Sequence, residues 1–370
     1  MKLASYNVEN LFRRARAMNG ATLAAGKPAL EAHAAVNALL AKPTYAASDK
    51  AKILGLLTGL GLGARDDGGE LAILRQNRGR LLRRPKGKPP EIIASGRDEW
   101  IGWVELKLEL VDEVATRATA QVIRDVDADV IAVVEAESRP ALVSFSDLLL
   151  PAVGGSHYSH VMLIDGNDDR GIDVGLMTRA PYPITRMLSH VDDADGGVRI
   201  FSRDCPEYDV TTPKGSRLVV LVNHLKSKAN GTAAAATARR RRQAERVKAI
   251  YESVLAAGSS LVAVVGDFND TPDSAPMAPL TQQTALKDVS EHPKFAGDGR
   301  PGTYGNGAKG DKIDYILLSP KLFAAVKAGG VERRGVWGGA NGALFPHYPE
   351  ITKPGHAASD HAAIWVELDV

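Results

Sequence analysis

A single cysteine, Cys205, stands in the 370 residues, which excludes an intramolecular disulfide and suits a reducing compartment. No apolar stretch approaches the roughly 20 residues of a membrane span, so no membrane partner is expected. The start, Met1-Lys2-Leu3-Ala4-Ser5-Tyr6-Asn7, enters a strand pattern at once and lacks the apolar core of a signal peptide, so the cytoplasm is the expected location. Net charge is nearly missing too. The balance of 46 Lys and Arg against 44 Asp and Glu leaves +2, and bulk charge alone marks no polyanion binder. There is no internal repeat and no long low-complexity tract. A Walker P-loop and a serine nucleophile elbow are also absent, which removes those two chemistries. The histidines at 33, 157, 160, 190, 292, 347 and 356 form no HxxxH-like zinc spacing. Cys205 carries no nucleophile signature and reads as a small buried side chain.

What is present is a recurring pattern. Six short apolar runs each carry a polar or ionisable residue at or beside one end. The run 2–6 precedes Asn7, 129–134 precedes Glu135, 218–222 precedes Asn223 and His224, and 261–266 precedes Asp267, Phe268 and Asn269. Asp314 opens the run 315–318, and Ser359, Asp360 and His361 open the run 362–368. Runs of this length, rich in Val, Ile and Leu, read as buried strands of a packed sheet. Carboxylates, amides and imidazoles gathered at several strand ends are how a rigid scaffold assembles a site, which points to an enzyme, and to a metal-dependent one.

The composition, 44% apolar and 24% charged, is that of a globular protein with a large core. The length admits two average domains or one large layered fold. A stretch at about 13–99 differs in character. It shows helical patterns at 29–41 and 50–62, the second with Ser48 or Asp49 as N-cap, followed by a basic segment. We read it as an insertion beside the core. From Trp103 onward, helices at 110–126 and 234–256 alternate with strands, and the second places Val247, Ile250, Tyr251, Val254 and Leu255 on one face. Strands with crossover helices indicate an α/β architecture.

Charge is segregated along the chain. Arg75, Arg78, Arg80, Arg83, Arg84, Lys86 and Lys88 form one basic cluster, and Arg239 to Arg242 with Arg246 and Lys248 a second. Acids gather at 125–137, 165–173 and 192–195. Such segregation fits basic walls around an acidic, metal-binding centre, or equally solvated helix faces and loops. Hard divalent cations such as Mg2+ prefer oxygen ligands and often take only one or two protein carboxylates, and Glu135 and Asp360 could supply them. His224 and His361 each need a carboxylate to orient the ring, with Asp173 and Asp314 as candidates.

Read in order, Ser5-Tyr6-Asn7-Val8-Glu9-Asn10, Val130-Ile131-Ala132-Val133-Val134-Glu135, Val222-Asn223-His224-Leu225-Lys226-Ser227-Lys228, Gly266-Asp267-Phe268-Asn269-Asp270-Thr271-Pro272, Lys312-Ile313-Asp314-Tyr315 and Ser359-Asp360-His361 resemble the endonuclease/exonuclease/phosphatase superfamily, in its deoxyribonuclease I-like and exonuclease III-like branches. The resemblance runs from residue 5 to residue 361, apart from the 13–99 region. It implies an α/β four-layer sandwich, two face-to-face mixed β-sheets flanked by helices, as one domain over 1–370 carrying that insertion. It also implies Asn7, Glu135 and Asp360 at the metal and Asp267 positioning or deprotonating the attacking water. Asn269 is then a phosphate or transition-state contact, and Asp314 pairs with His361. His224 is the other histidine, with Asp173 as its partner, and Arg203 grips the scissile phosphate, with Arg170 a second candidate. One departure is Val134, where many relatives place Gln. The cofactor implied is Mg2+, with Mn2+ an alternative, and Mg2+, Arg203 and both histidines are expected to supply the positive charge.

The superfamily cleaves many phosphoesters, so fold does not give substrate. Lys312-Ile313-Asp314-Tyr315 departs from the WCDR-like signature of the inositol phosphatase branch, and no apolar hairpin suggests a lipid surface. The two basic clusters could contact nucleic-acid phosphates, so nucleic acid is the expected partner, DNA ahead of RNA, cut by an endonuclease. A small-molecule phosphoester and a non-catalytic binding module are the alternatives.

Overall fold

The computed structural model describes residues 1–18, 23–111, 113–228 and 232–370. The chain divides into two compact units, Met1–Phe12 with Asp112–Val370, and Arg13–Val111. The larger unit is built on two mixed sheets. One has seven strands in the order Phe295–Ala296, Val326–Glu332, Ala363–Leu368, Lys2–Leu11, Val130–Ala136, Asp173–Thr178 and His160–Leu163. The other has six, Ile184–Leu188, Glu207–Thr211, Arg217–His224, Leu261–Asp267, Asp314–Leu318 and Lys287–Asp288. The expected mixed α/β fold with two large sheets is therefore present.

The central strands read as unbroken apolar runs because both of their faces are covered. Leu218, Val220 and Val222 pack with Val130, Ala132 and Val134 between the sheets. Their neighbours Val219 and Leu221 pack on the opposite face against Val247, Ile250, Tyr251 and Val254 of the helix Ala233–Ala256. Each fully buried Val or Leu contributes about 1.5–3 kcal/mol. Leu255, assigned to that helix face from the sequence, is instead exposed. The helix Val114–Val126 covers the seven-stranded sheet through contacts with Lys2–Leu11 and Ala363–Leu368.

The smaller unit runs from Arg13 to Val111. Its helices span Leu23–Leu40 and Ala47–Gly59. Val36, Leu40, Ile53 and Leu57 pack with Leu74, Trp100 and Val104 in a core of their own. The second helix is capped by Ala46 rather than by the expected Ser48 or Asp49, and Asp49, in its first turn, accepts from the Ala46 N–H at 3.1 Å. No helix among the described residues is long and apolar enough to cross a membrane.

Candidate active site

Strand register brings the ionisable residues together. His224 lies opposite Asp267 in a parallel pair, and Asp267 opposite Asp314 in an antiparallel pair, so three neighbouring strands deliver three functional groups at one sheet end. Asn7 is paired beside Val134 in the other sheet. Glu135 is the extra residue of a bulge, skipped between the pairs Asp173–Ala136 and Val174–Val134. Bulges re-aim side chains next to sites, and Glu135 adopts φ +68. Glu9 at φ +48 and Asn269 at φ +54 share this left-handed conformation, which most L-residues hold only when their surroundings enforce it. All three line one cavity of about 470 Å³, together with His224, Asp267 and His361. Gly266 allows the close approach of two strands here. At φ +129, a Cβ on it would lie 1.9 Å from the Asn223 carbonyl oxygen.

The two histidines differ in charge. His361 Nδ1 lies 2.8 Å from Asp314 Oδ2, which also accepts from Thr303 Oγ1 at 2.6 Å. Burial acts to lower the His361 pKa, but Asp314 outweighs it and holds the ring as an imidazolium, with a pKa pushed up to about 10. His224 is driven well below its ordinary value by burial, then by the neighbouring Arg203 and His361. Its buried Nδ1 has no hydrogen-bond partner among the described residues, and its Nε2 lies 3.7 Å from both Glu135 Oε1 and Asp267 Oδ2. The expectation that both histidines supply positive charge therefore fails for His224, which is neutral. Its expected pairing with Asp173 is not made either. Asp173 Oδ1 instead accepts from the Gly166 N–H at 2.9 Å. Burial, followed by the neighbouring Asp165, pushes the Asp173 carboxyl up to about 7.

Asp267 is buried, like Asp314 and Asp173. Its Oδ1 accepts from the Asn269 N–H at 2.8 Å, and its Oδ2 from Asn7 Nδ2 at 3.2 Å and Asn269 Nδ2 at 3.1 Å. Burial and then Asp314 raise its pKa to about 7. One wall of the cavity is cationic. Arg203 is buried, with Nε 3.0 Å from Asp168 Oδ2, while Asp168 also holds the exposed Arg170 through two contacts of 2.9 Å. The other wall is acidic, formed by Glu9, Glu135, Asp311 and Asp360.

Residues 112–361 match the Endonuclease/Exonuclease/phosphatase family. The chain belongs to that family. A mannosyl-6-phosphatase of Bacteroides thetaiotaomicron is similar in structure, with 18% identity and a TM-score of 0.52, over 69% of this chain and 91% of that one. An endonuclease/exonuclease/phosphatase family protein from the same organism is similar with 17% identity and a TM-score of 0.51, over 69% of this chain and 85% of that one. At these identities the likeness is one of fold. No curated protein matches the sequence. Members of the family are phosphodiesterases, phosphatases and nucleases that generally depend on a divalent metal.

The donor set fits such a metal. The Glu9 carboxyl is raised by burial and then by Asp360, with Glu135 adding to the repulsion, and only part of this is offset by the Asp360 N–H at 2.9 Å. Converging carboxylates at an accessible rim are relieved by a hard cation. Asp267, Asp314 and His361 form a second group whose ligand atoms lie within 4.8 Å of one another. There the His361 proton already offsets the carboxylates, so the rim of Glu9, Glu135 and Asp360 fits a cation better. Asn7 uses its amide nitrogen toward Asp267 and, at 3.4 Å, toward Glu135, and its oxygen accepts from the Glu9 N–H at 3.0 Å. In this arrangement it organises carboxylates.

Glu9 and Tyr304 are among the lining residues that had no role from sequence. Glu9 lies two residues beyond Asn7, and the period of a strand places i and i+2 on one face, a signal that could have found it. Tyr304, 39% exposed, has its ring centroid 5.0 Å from that of His361, and nothing in the sequence flagged it. Of the arginine run, Arg240 turns inward and pairs with Asp270 at 2.9 Å, which removes it from any substrate-facing role. Cys205 is buried, and burial raises its thiol well above the ordinary value.

Proposed function

We propose that the chain is a Mg2+-dependent phosphodiesterase acting on nucleic acid, most readily a DNA endonuclease. The observation that carries the hydrolytic part is the pairing of a carboxylate with a pKa near 7, Asp267, with an imidazolium, His361, beside the buried Arg203. Asp267 accepts a proton from the attacking water, a task suited to a base whose pKa lies near neutrality. Arg203 and Asn269 hold the phosphoryl oxygens, and the P–O bond to the leaving group breaks as the new one forms. His361 offsets charge and gives a proton to the leaving oxygen. A divalent ion held by Glu135, Asp360 and Glu9 would supply Lewis-acid stabilisation of the phosphoryl oxygens.

Nucleic acid is supported by cations beyond those needed for one phosphate. Lys226 has its pKa lowered by burial and then by Arg203, Arg239 and Arg170, which places those charges around it. Arg78, Arg80, Lys86 and Lys88 are exposed in the smaller unit. A second reading, a small-molecule phosphoester, is favoured by neutralisation of part of the basic segment. Arg75 pairs with Glu105 at 2.8 Å, Arg84 with Asp66 at 2.8 Å, and Arg83 with Glu91.

A plasmid-nicking assay with Mg2+ and with EDTA, run beside a panel of small phosphoesters, tests the proposal. Metal-dependent nicking supports the nuclease. Release of phosphate from small esters alone supports the second reading, and silence on every substrate leaves a binding module.

A further inference from the structure

Arg240 and Gln243 lie one turn apart on the inward face of the helix Ala233–Ala256, 3% and 0% exposed. Neither lines the cavity. A guanidinium this deep is retained only when a charge partner and hydrogen bonds compensate it. Arg240 Nε donates to Asp270 Oδ2 at 2.9 Å, and its Nη1 donates to the Lys226 carbonyl at 3.0 Å. Gln243 Oε1 accepts from the Lys226 N–H at 2.8 Å, while its Nε2 donates to the Ile200 carbonyl at 3.1 Å and to Ser202 Oγ at 3.2 Å. Two side chains of one helix thus grip three separate segments. These are the segment before Arg203, the one after His224 and the one after Asn269.

Those segments also converge on a single atom. The Leu225 carbonyl accepts from Asn269 Nδ2 at 3.2 Å and from Arg203 Nη1 at 3.5 Å. Asn269 sits at φ +54, a left-handed conformation that asparagine tolerates, and its neighbour Asp270 is anchored through both its side chain and its backbone. The Asp270 carboxylate is fixed by Arg240 and by Lys228 at 3.2 Å, and its carbonyl accepts from the Tyr315 hydroxyl at 2.7 Å.

We propose that Arg240 and Gln243 are positioning residues that hold Arg203 and Asn269, the phosphate-facing side of the cavity, in one arrangement. This rests on the reading of the cavity as a phosphoester hydrolase site. Arg240 acts through the Asp270–Asn269 segment, and Gln243 through 200–203 and 225–226.

The test combines kinetics with hydrogen exchange on the full chain. Arg240→Met lowers kcat about tenfold or more on a phosphodiester with Mg2+, as expected when a contact group is displaced by a fraction of an ångström, and Arg240→Lys recovers part of it. In an Asn269→Ala background, Arg240→Met costs no more than about twofold further, because the two act as one unit. Amides at 225–226 and 269–270 exchange about tenfold faster in Arg240→Met, while those of Arg217–His224 before them are unchanged. If Arg240→Met does not accumulate in folded form, Gln243→Met, which strands no charge, carries the same exchange measurement at 200–202 and 225–226. Fully multiplicative losses in the double variant, or unchanged exchange at those amides, overturn the positioning role. If the wild type hydrolyses no phosphoester, the hydrolase reading fails by itself, and exchange alone decides the positioning.

Discussion

Replacing Asp314 by Asn keeps the shape of the side chain and removes the charge that holds His361 as a cation. The His361 pKa of about 10 is above its ordinary 6.5 because Asp314 outweighs burial. Without Asp314 only Asp267 and Asp360 oppose burial, and the ring falls toward its ordinary 6.5. At pH 8 the protonated fraction then drops from nearly all to about 3%, so roughly a 30-fold loss follows from protonation alone. Loss of proton donation to the leaving oxygen extends this toward the 10²–10⁴-fold range of general acid catalysis. The wild-type profile of kcat against pH rises as Asp267 ionises near 7 and falls as His361 deprotonates near 10. In Asp314→Asn the upper limb moves below 7. Stability follows the same linkage. A histidine whose folded pKa exceeds its unfolded value gives its full contribution below about 6.5 and loses it as pH rises toward about 10. Wild-type melting temperature therefore carries a downward component across that window that Asp314→Asn lacks. Steady-state hydrolysis from pH 6 to 10.5 with matched thermal melts is the assay. An Asp314→Asn rate within threefold of wild type at pH 8, with the upper limb unmoved, refutes the reasoning.

Three further outcomes are expected. Glu135→Ala abolishes turnover with little change in melting temperature, and the stabilisation that millimolar Mg2+ gives the wild type by binding the folded state disappears in the variant; a Glu135→Ala protein that turns over normally contradicts the metal assignment. Gly266→Ala drives a Cβ to 1.9 Å from the Asn223 carbonyl oxygen, so it destabilises by about 3 kcal/mol or more, and a denaturant midpoint equal to wild type rules this out. Changing Arg78, Arg80, Lys86 and Lys88 together to Gln weakens DNA binding and flattens its salt dependence, whereas unchanged affinity removes that segment from the interface.

The sheet framework was legible because strands buried on both faces leave continuous apolar runs, and the strand from Arg217 to His224 is visible for that reason. The ionisable residues that meet in one cavity at the ends of those runs were legible for the same reason, since a strand end fixes where its next side chain goes. The charge state of those residues was not. His224 and His361 look alike in sequence, and only the presence of Asp314 beside one and of Arg203 beside the other separates a neutral ring from a cationic one. The bulge at Glu135 depends on pairing with Asp173–Thr178, a long-range contact with no local signature. Arg240 and Gln243 were within reach of the periodicity that placed Val247 and Ile250 on the core face. Stepping back four and seven residues from Val247 meets both, but four adjacent arginines read more simply as a solvated patch.

The central claim, hydrolysis of a phosphoester by Asp267 with a divalent ion, is tested most directly by comparing wild type with Asp267→Asn on an aryl phosphodiester, with Mg2+ and then with EDTA. Turnover is expected to depend on Mg2+, to be abolished by EDTA and to fall by about 10² or more in Asp267→Asn, with the variant still melting cooperatively. EDTA-resistant turnover, or an Asp267→Asn rate within a few-fold of wild type, contradicts it.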